Sequence, residues 1–425
     1  MAAGRRLRRQ AHDVIGVLDV GTAKTACVIA ATSGLRSEDE DALAAVQVLG
    51  IGHQPTRGLR AGVVTELDGV EQAVRAAVAQ AERMAGTVLE EVFLAVACHG
   101  LRSSTFTANT EIEDRLVDDE DMERLLDAGR TYTERDGRTL LHMNCISYRL
   151  DGAAGIGDPR GMAGIRLAAD LHAVTAEDAP LHNLLQVVER AYLSAAGLAP
   201  APLASGLAAT TEEERHLGVV SIDMGAGTTA VSIFAQGHLL WSDLVPVGGG
   251  HVTSDIARAL AVPALQAERI KKECGTLART AAEDDEAFFH APAGADVPAL
   301  DQAAKNEVRE IVRGRLAGHF RHVAQRIKGS GVARHATERV VLAGGASLQP
   351  GLNEFAAEIF GRPVRLARIE PLPGMPTDFC SPAFSTATGL VRVALDPAAG
   401  VRWDRDGSEP AGYLGRVGQW LRESF

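Results

Sequence analysis

The chain has 425 residues, 46% of them hydrophobic and 23% charged, an ordinary globular composition long enough for two or more domains. A formal net charge of -12 and only 4% aromatic residues argue against bulk nucleic-acid binding, which draws on positive charge and stacking rings. Cys27, Cys98, Cys145, Cys274 and Cys380 are scattered without a Cys-x-x-Cys pair, and the thirteen histidines show no metal-ligand spacing, so reduced core thiols are expected.

Residues 1–12 carry Arg5, Arg6, Arg8 and Arg9 and read as a basic, disordered tail, with weak attraction to anionic lipid as the lesser alternative. The apolar stretch that follows is broken by Asp13, Asp19 and Lys24, so it is neither a signal-peptide core nor a membrane span. Val14–Lys24 instead reads as a buried strand, an Asp, and a Gly turn ending in a hydroxyl residue. Strands are predicted within 14–31 and 46–51, a polar loop from Ser33 to Asp41, a turn and short strand over Arg57–Val64, and an amphipathic helix from Leu67 to Met84. A different texture fills 87–170: a strand at Val92–Ala97, a charged helix at Asp118–Arg130, a Gly-rich loop at Gly152–Gly164 and a strand at Ile165–Val174. It reads as an inserted subdomain, after which a helix over 181–196 returns to the first domain.

The second half repeats the opening. Val219–Thr229 is again a strand, an Asp, a Gly turn and hydroxyl residues. Gly248, Gly249 and Gly250 precede a predicted helix at Val252–Leu260, and Ala267–Lys272 is helical with Glu268, Lys271 and Lys272 on one side. An acidic loop spans Ala282–Pro298 and a long helix 301–328. Val340–Ser347 is a strand running into a Gly-Gly turn, Leu352–Phe360 is a helix, Pro373–Pro382 is irregular, and Phe384–Leu395 is helical. Residues 396–411 read as a flexible linker.

Glycine after each Asp lets backbone N–H groups approach a phosphate, and hydroxyls follow each turn. The first turn is Asp19, Gly21, Thr22, Ala23 and Lys24; the second is Asp223, Gly225, Ala226, Gly227, Thr228 and Thr229. Asp19 and Asp223 cannot touch phosphates, so their expected partner is Mg2+ held through its water shell. Gly344, Gly345, Ala346 and Ser347 leave room for a flat adenosine moiety. Glu268 suits ribose hydroxyls while the Lys271 and Lys272 stems pack on the purine, unless this is a solvated charged helix face. Two copies of the Asp-Gly motif in one chain point to two related subdomains closing on one phosphate chain. Neither a P-loop nor a Gly-x-Gly-x-x-Gly fingerprint is present.

The C-terminus carries a second signal. In a helix over 412–425, Tyr413, Leu414, Val417, Trp420, Leu421 and Phe425 share one arc, and Arg416, Gln419, Arg422 and Glu423 the other. Such a helix spans about 21 Å, short of the roughly 30 Å hydrocarbon core. It suits a helix lying in a membrane interface, the alternative being one docked on protein.

The order of phosphate turn, phosphate turn and adenosine turn resembles the actin/Hsp70/sugar-kinase superfamily. With the amphipathic end, Thr56-Arg57-Gly58-Leu59, Val252–Ala257 and Trp420–Phe425, the chain resembles the FtsA family of bacterial cell-division proteins over nearly its whole length. The resemblance implies an α/β, actin-like ATPase fold of two RNase H-like domains around a nucleotide cleft, with an inserted α/β subdomain. Its parts would be a first large subdomain (13–86, 171–217 and 375–395), the insert (87–170), a second large subdomain (218–251 and 333–374) and a second small one (252–332). It implies a protein at the cytoplasmic face of the inner membrane, at the division septum. There the anchor residues would be Leu414, Arg416, Val417, Trp420, Leu421, Arg422 and Phe425. The second small subdomain would receive the acidic C-terminal tail of FtsZ, with Arg313 and Arg315 as candidate contacts, their alternative being a solvated basic face. The insert would contact later division proteins such as FtsN and neighbouring subunits in a head-to-tail filament. Two departures matter. Ala226 stands where many relatives carry Gly, and Pro202–Ala208 offers no Gln or Glu to position a water, so at most slow ATP hydrolysis is expected. An actin-like pilus-assembly or secretion ATPase, or a sugar kinase of the same fold, are the alternatives.

Overall fold

The computed structural model describes residues 13–32, 46–113, 116–134, 137–278, 301–335, 339–396 and 401–402. The opening strands β1 (Asp13–Val20), β2 (Lys24–Thr32) and β3 (Val46–Pro55) form an antiparallel meander. The run Ala26–Ala31 of β2 is buried throughout, with Val17, Leu18, Val46, Val48 and Ile51 buried beside it, as a strand covered on both faces must be. A small ribbon of β4 (Leu59–Arg60) and β5 (Val63–Val64) leads into α1 (Leu67–Ala85), which lays Val70, Val74, Ala77 and Ala81 against β2 and β3. Strand β6 (Glu91–Val96) then runs parallel to β1.

A separate sheet follows, of β7 (Arg102–Glu111), β8 (Arg138–Leu150), β9 (Ala153–Ile156) and β10 (Arg166–Glu177), in the order β7-β10-β8-β9. Its face is covered by α2 (Asp119–Thr133), whose start is set by a reciprocal pair: Asp118 accepts from the Asp121 N–H at 2.9 Å and Asp121 from the Asp118 N–H at 3.1 Å. Met122, Leu125, Leu126, Leu167 and Leu171 form this sheet's own core.

Helix α3 (Asp178–Arg190) and strand β11 (Ser194–Pro200) return the chain to the first sheet, where β11 lies parallel to β6. Helices α4 (Ala201–Ala209) and α5 (Glu212–Leu217) cross to the second half. There β12 (Val219–Met224), β13 (Thr229–Ala235) and β14 (His238–Val245) repeat the meander. Next come α6 (Gly249–Ala259), α7 (Ala264–Cys274) and α8 (Gln302–Gly329). Strand β15 (Arg339–Ala343), α9 (Leu352–Phe360), β16 (Val364–Leu366), α10 (Ser385–Leu395) and β17 (Val401–Arg402) complete the described chain.

The two large sheets run β17-β11-β6-β1-β2-β3 and β14-β13-β12-β15-β16. In each, the strand bearing the Asp is flanked by an antiparallel hairpin partner and a parallel strand: β1 by β2 and β6, β12 by β13 and β15. Asp19 faces Ala26 and Ala95 in register, and Asp223 faces Ala230 and Ala343. The two halves are therefore structural copies. Between them α4 packs on α10 so closely that a Cβ on Gly389 would lie 1.7 Å from the Ala204 carbonyl oxygen. Small residues on both helices permit that approach, and one buried cluster runs from Val17 and Ala95 through Ala204 and Leu390 to Val341.

Several local expectations change. The helix expected over 181–196 stops at Arg190, where exposed Tyr192 takes φ 63°, and 194–200 is a strand. Alanine-rich apolar sequence does not separate a helix end from a buried strand. Strand β6, grouped with the insert by sequence, pairs between β1 and β11. Strands β7 and β8 escaped the sequence reading, and the Gly-rich 152–164 stretch contains the edge strand β9. Within the linker of 396–411, Val401–Arg402 pairs antiparallel with β11. The basic tail, the acidic loop and the amphipathic end at 412–425 lie outside the described residues. No described helix is long and apolar enough to cross a membrane.

Candidate functional site

The two Asp-Gly motifs fold into matching turns. The Gly21 N–H donates to the Lys24 carbonyl at 3.0 Å, and the Gly225 N–H to the Thr228 carbonyl at 2.9 Å. Each turn leaves the end of its strand and returns the chain as the hairpin partner. The turns meet: a Cβ on Gly227 would lie 2.4 Å from Thr22 Oγ1. Gly248–Gly250 lies against the second turn, with the Gly249 N–H donating to the Gly225 carbonyl at 2.9 Å and the Gly250 N–H to the Ala226 carbonyl at 2.8 Å. A Cβ on Gly249 would lie 2.8 Å from Ala346 Cβ, which brings the Gly344–Ser347 turn to the same place. Gly344 takes φ 82°, and a side chain there would strike Asp223 Oδ1 at 2.3 Å. Four segments far apart in sequence therefore converge on one cleft.

The carboxylates at its floor differ. Asp223 is 9% exposed and accepts hydroxyl hydrogen bonds from Ser385 Oγ at 2.9 Å and Thr386 Oγ1 at 3.1 Å. Burial raises its pKa, opposed by those bonds and by Lys24. Asp19 has no hydrogen-bond donor among the described residues; burial, with a lesser push from Asp223 and against the pull of Lys24, takes its carboxyl up to about 6. A carboxylate left without a donor beside a second buried carboxylate fits a hydrated divalent cation. Lys24 is held below its usual range, chiefly by burial. Its ammonium donates to the Ala383 carbonyl at 2.6 Å and lies 3.3 Å from the centre of the Phe384 ring.

Some predicted residues take other roles. Thr229 is fully buried and its hydroxyl donates to the Val247 carbonyl at 2.7 Å, so it fixes the glycine loop, leaving Thr22 and Thr228 half-exposed at the cleft. Ser347 is buried and closes its own turn onto the Gly344 carbonyl at 2.7 Å. The Lys271 ammonium is buried beneath the glycine loop, donating to Thr253 Oγ1 at 2.9 Å, Glu268 Oε2 at 2.6 Å and the Gly249 carbonyl at 3.3 Å. It therefore acts as a strut, while Lys272 is exposed. Burial works to raise the Glu268 pKa, but Lys271 and Thr253 hold it below the usual carboxylate range. Arg315 is clamped by Asp255 at 2.5 and 2.9 Å, and Arg313 lies 5.0 Å from the centre of the Phe355 ring. Sequence reading missed the 382–386 segment, which joins Lys24 to Asp223 through Ala383, Ser385 and Thr386. Its residues follow an irregular, proline-containing stretch and carry no spacing that marks them.

The duplicated sheets with paired Asp-Gly turns facing one cleft define an actin-like protein. A solved PilM-PilN type IV pilus biogenesis complex shares this fold, with a TM-score of 0.62 at 16% identity, covering 90% of this chain and 99% of that one. The model of the cell division protein FtsA matches residues 220–389, and that of the SHS2 domain inserted in FtsA matches 99–175, the region of the separate sheet. Cell division protein FtsA of Agrobacterium fabrum is 38% identical over 422 residues, covering 97% of this chain and 95% of its own. FtsA of Escherichia coli K12 is 30% identical over 424 residues, covering 97% and 98%. The chain belongs to the FtsA family of cell division proteins.

Proposed function

We propose that this chain binds ATP with Mg2+ in the cleft between its two sheets and tethers the FtsZ ring to the cytoplasmic face of the inner membrane at the septum. The observation that carries the nucleotide reading is the meeting of the two Asp-Gly turns, the Gly248–Gly250 loop and the Gly344 turn at one place. The backbone N–H groups of the turns suit phosphate oxygens, and Asp19 and Asp223 suit the water shell of Mg2+. The bound nucleotide would supply closure energy across the two halves. Helix α4, which passes beside Asp223, offers Ser205 but no carboxylate or amide, so the cleft binds ATP as an assembly ligand and hydrolyses it slowly at most.

The family supports the rest of the reading. The amphipathic arc around Trp420 would lie in the membrane. The α6–α8 region with Arg313 and Arg315 would meet the acidic FtsZ tail. The insert would serve later division proteins such as FtsN and the neighbouring subunit of a filament. The test is co-sedimentation with anionic liposomes, with and without ATP and an FtsZ tail peptide. The expected result is pelleting of the chain with retention of the peptide; a chain that stays in the supernatant overturns the tether. Calorimetry with Asp223→Ala tests the cleft, and retained ATP affinity overturns that assignment.

A further inference from the structure

A second cavity, of about 250 Å³, lies where the inserted sheet meets the second half of the molecule, away from the Asp-Gly turns. It is smaller than the roughly 300 Å³ at which sites for drug-sized ligands begin. From the insert come Arg102 on β7 and Arg138 on β8; from the second half come Ser242 and Asp243 on β14 and Arg326 on α8.

The charges in this cavity do not cancel. Asp243 is engaged by Arg326 at 2.6 Å, and Glu177 is reached by Arg138 at 3.8 Å. Arg102 makes no ion pair among the described residues and is exposed at the cavity's edge. Arg138 is buried deeper, its Nη2 and Nε donating to the Gly100 carbonyl and to Thr175. Burial and the Arg102 charge both act against its cationic form. Ser242 is 2% exposed, and its hydroxyl has no hydrogen-bond partner among the described residues. A buried hydroxyl without a partner is costly, and here it lines the cavity that holds three guanidinium groups.

We propose that this cavity binds a small oxyanion of the phosphate class, gripped by Arg102, Arg138 and Arg326 with Ser242 as the neutral donor. Guanidinium forks match the oxygens of such an anion, and its charge offsets the surplus cation. The insert and the second half already touch here through the Ser242 N–H, which donates to Ser103 Oγ at 3.1 Å. A bound anion would add donors from both sides and tie the inserted sheet to β14 and α8.

The experiment uses the full chain with Trp403→Phe and Trp420→Phe, which leaves Trp241 at the cavity as the sole tryptophan of the original three. Inorganic phosphate is titrated against its fluorescence at ionic strength held constant with sodium chloride. A saturable change is expected, weakened about tenfold by Arg102→Gln and by Ser242→Ala, the loss of one charge-assisted or newly satisfied donor. Asp223→Ala, which alters the nucleotide cleft, should leave the titration unchanged. The proposal is overturned by the absence of a saturable change, by equal affinity in Arg102→Gln, or by loss of the signal in Asp223→Ala.

Discussion

Replacing Gly227 by alanine should push the two Asp-Gly turns apart. The added methyl would lie 2.4 Å from Thr22 Oγ1, 2.9 Å from its Cγ2 and 3.0 Å from its Cβ, where ordinary contact begins at 3.4 Å. The Thr22 side chain is short and β-branched, so it cannot swing its far end away. Overpacking of this kind costs about 1–3 kcal/mol, which corresponds to roughly five- to 150-fold in nucleotide affinity if closure of the turns is required for binding. Titration calorimetry with a non-hydrolysable ATP analogue measures the loss directly. Thr22→Ala removes both the oxygen and the Cγ2 methyl, so the double variant should bind better than Gly227→Ala alone. The coupling in the double-mutant cycle separates relief of the clash from any loss of the Thr22 hydroxyl itself. Unchanged affinity in Gly227→Ala, or a cycle with zero coupling, would refute the claim that the turns must meet.

Other outcomes follow from the same geometry. Burial lifts the folded pKa of Asp19 from 3.8 to about 6, so its contribution to stability is fully present below 3.8 and is lost as pH rises through about 6. Asp19→Asn should thus gain on the parent chain above about pH 6, with the gap closing towards 3.8; denaturation midpoints across that range without nucleotide test it, and a constant gap sinks it. Gly389→Ala drives a methyl into the Ala204 carbonyl and should lower stability by about 3 kcal/mol or more, read by urea unfolding. Arg315→Ala removes a partly exposed pair with Asp255 and should cost about 1 kcal/mol or less, yet weaken capture of an FtsZ tail peptide in a fluorescence-anisotropy titration. Trp420→Glu should release the chain from anionic liposomes, checked by co-sedimentation; undiminished pelleting would remove the membrane role of that arc.

The sequence alone determined the α/β class, the duplicated halves and the place of the cleft. Strands buried on both faces, ending at Asp and Gly, write their geometry in adjacent residues, and Val14–Lys24 and Val219–Thr229 are such runs. The amphipathic segment of α1 was legible for the same local reason. Local pattern failed where identity depends on distant partners. The first residues of β11, Ser194–Ala196, looked like a continued helix because alanine is a strong helix former, and only the parallel neighbour β6 draws them into a strand. The inserted sheet hid β7 and β8, whose alternation is interrupted by polar residues paired across strands, as Arg149 pairs with Asp170. Tertiary structure alone decided that Thr229 and Lys271 support the glycine loop from behind, and that Ser385 and Thr386 bind Asp223 from 162 and 163 residues away. A hydroxyl or an ammonium has the same donors wherever it stands, and only packing determines whether they face a ligand or the protein's own backbone.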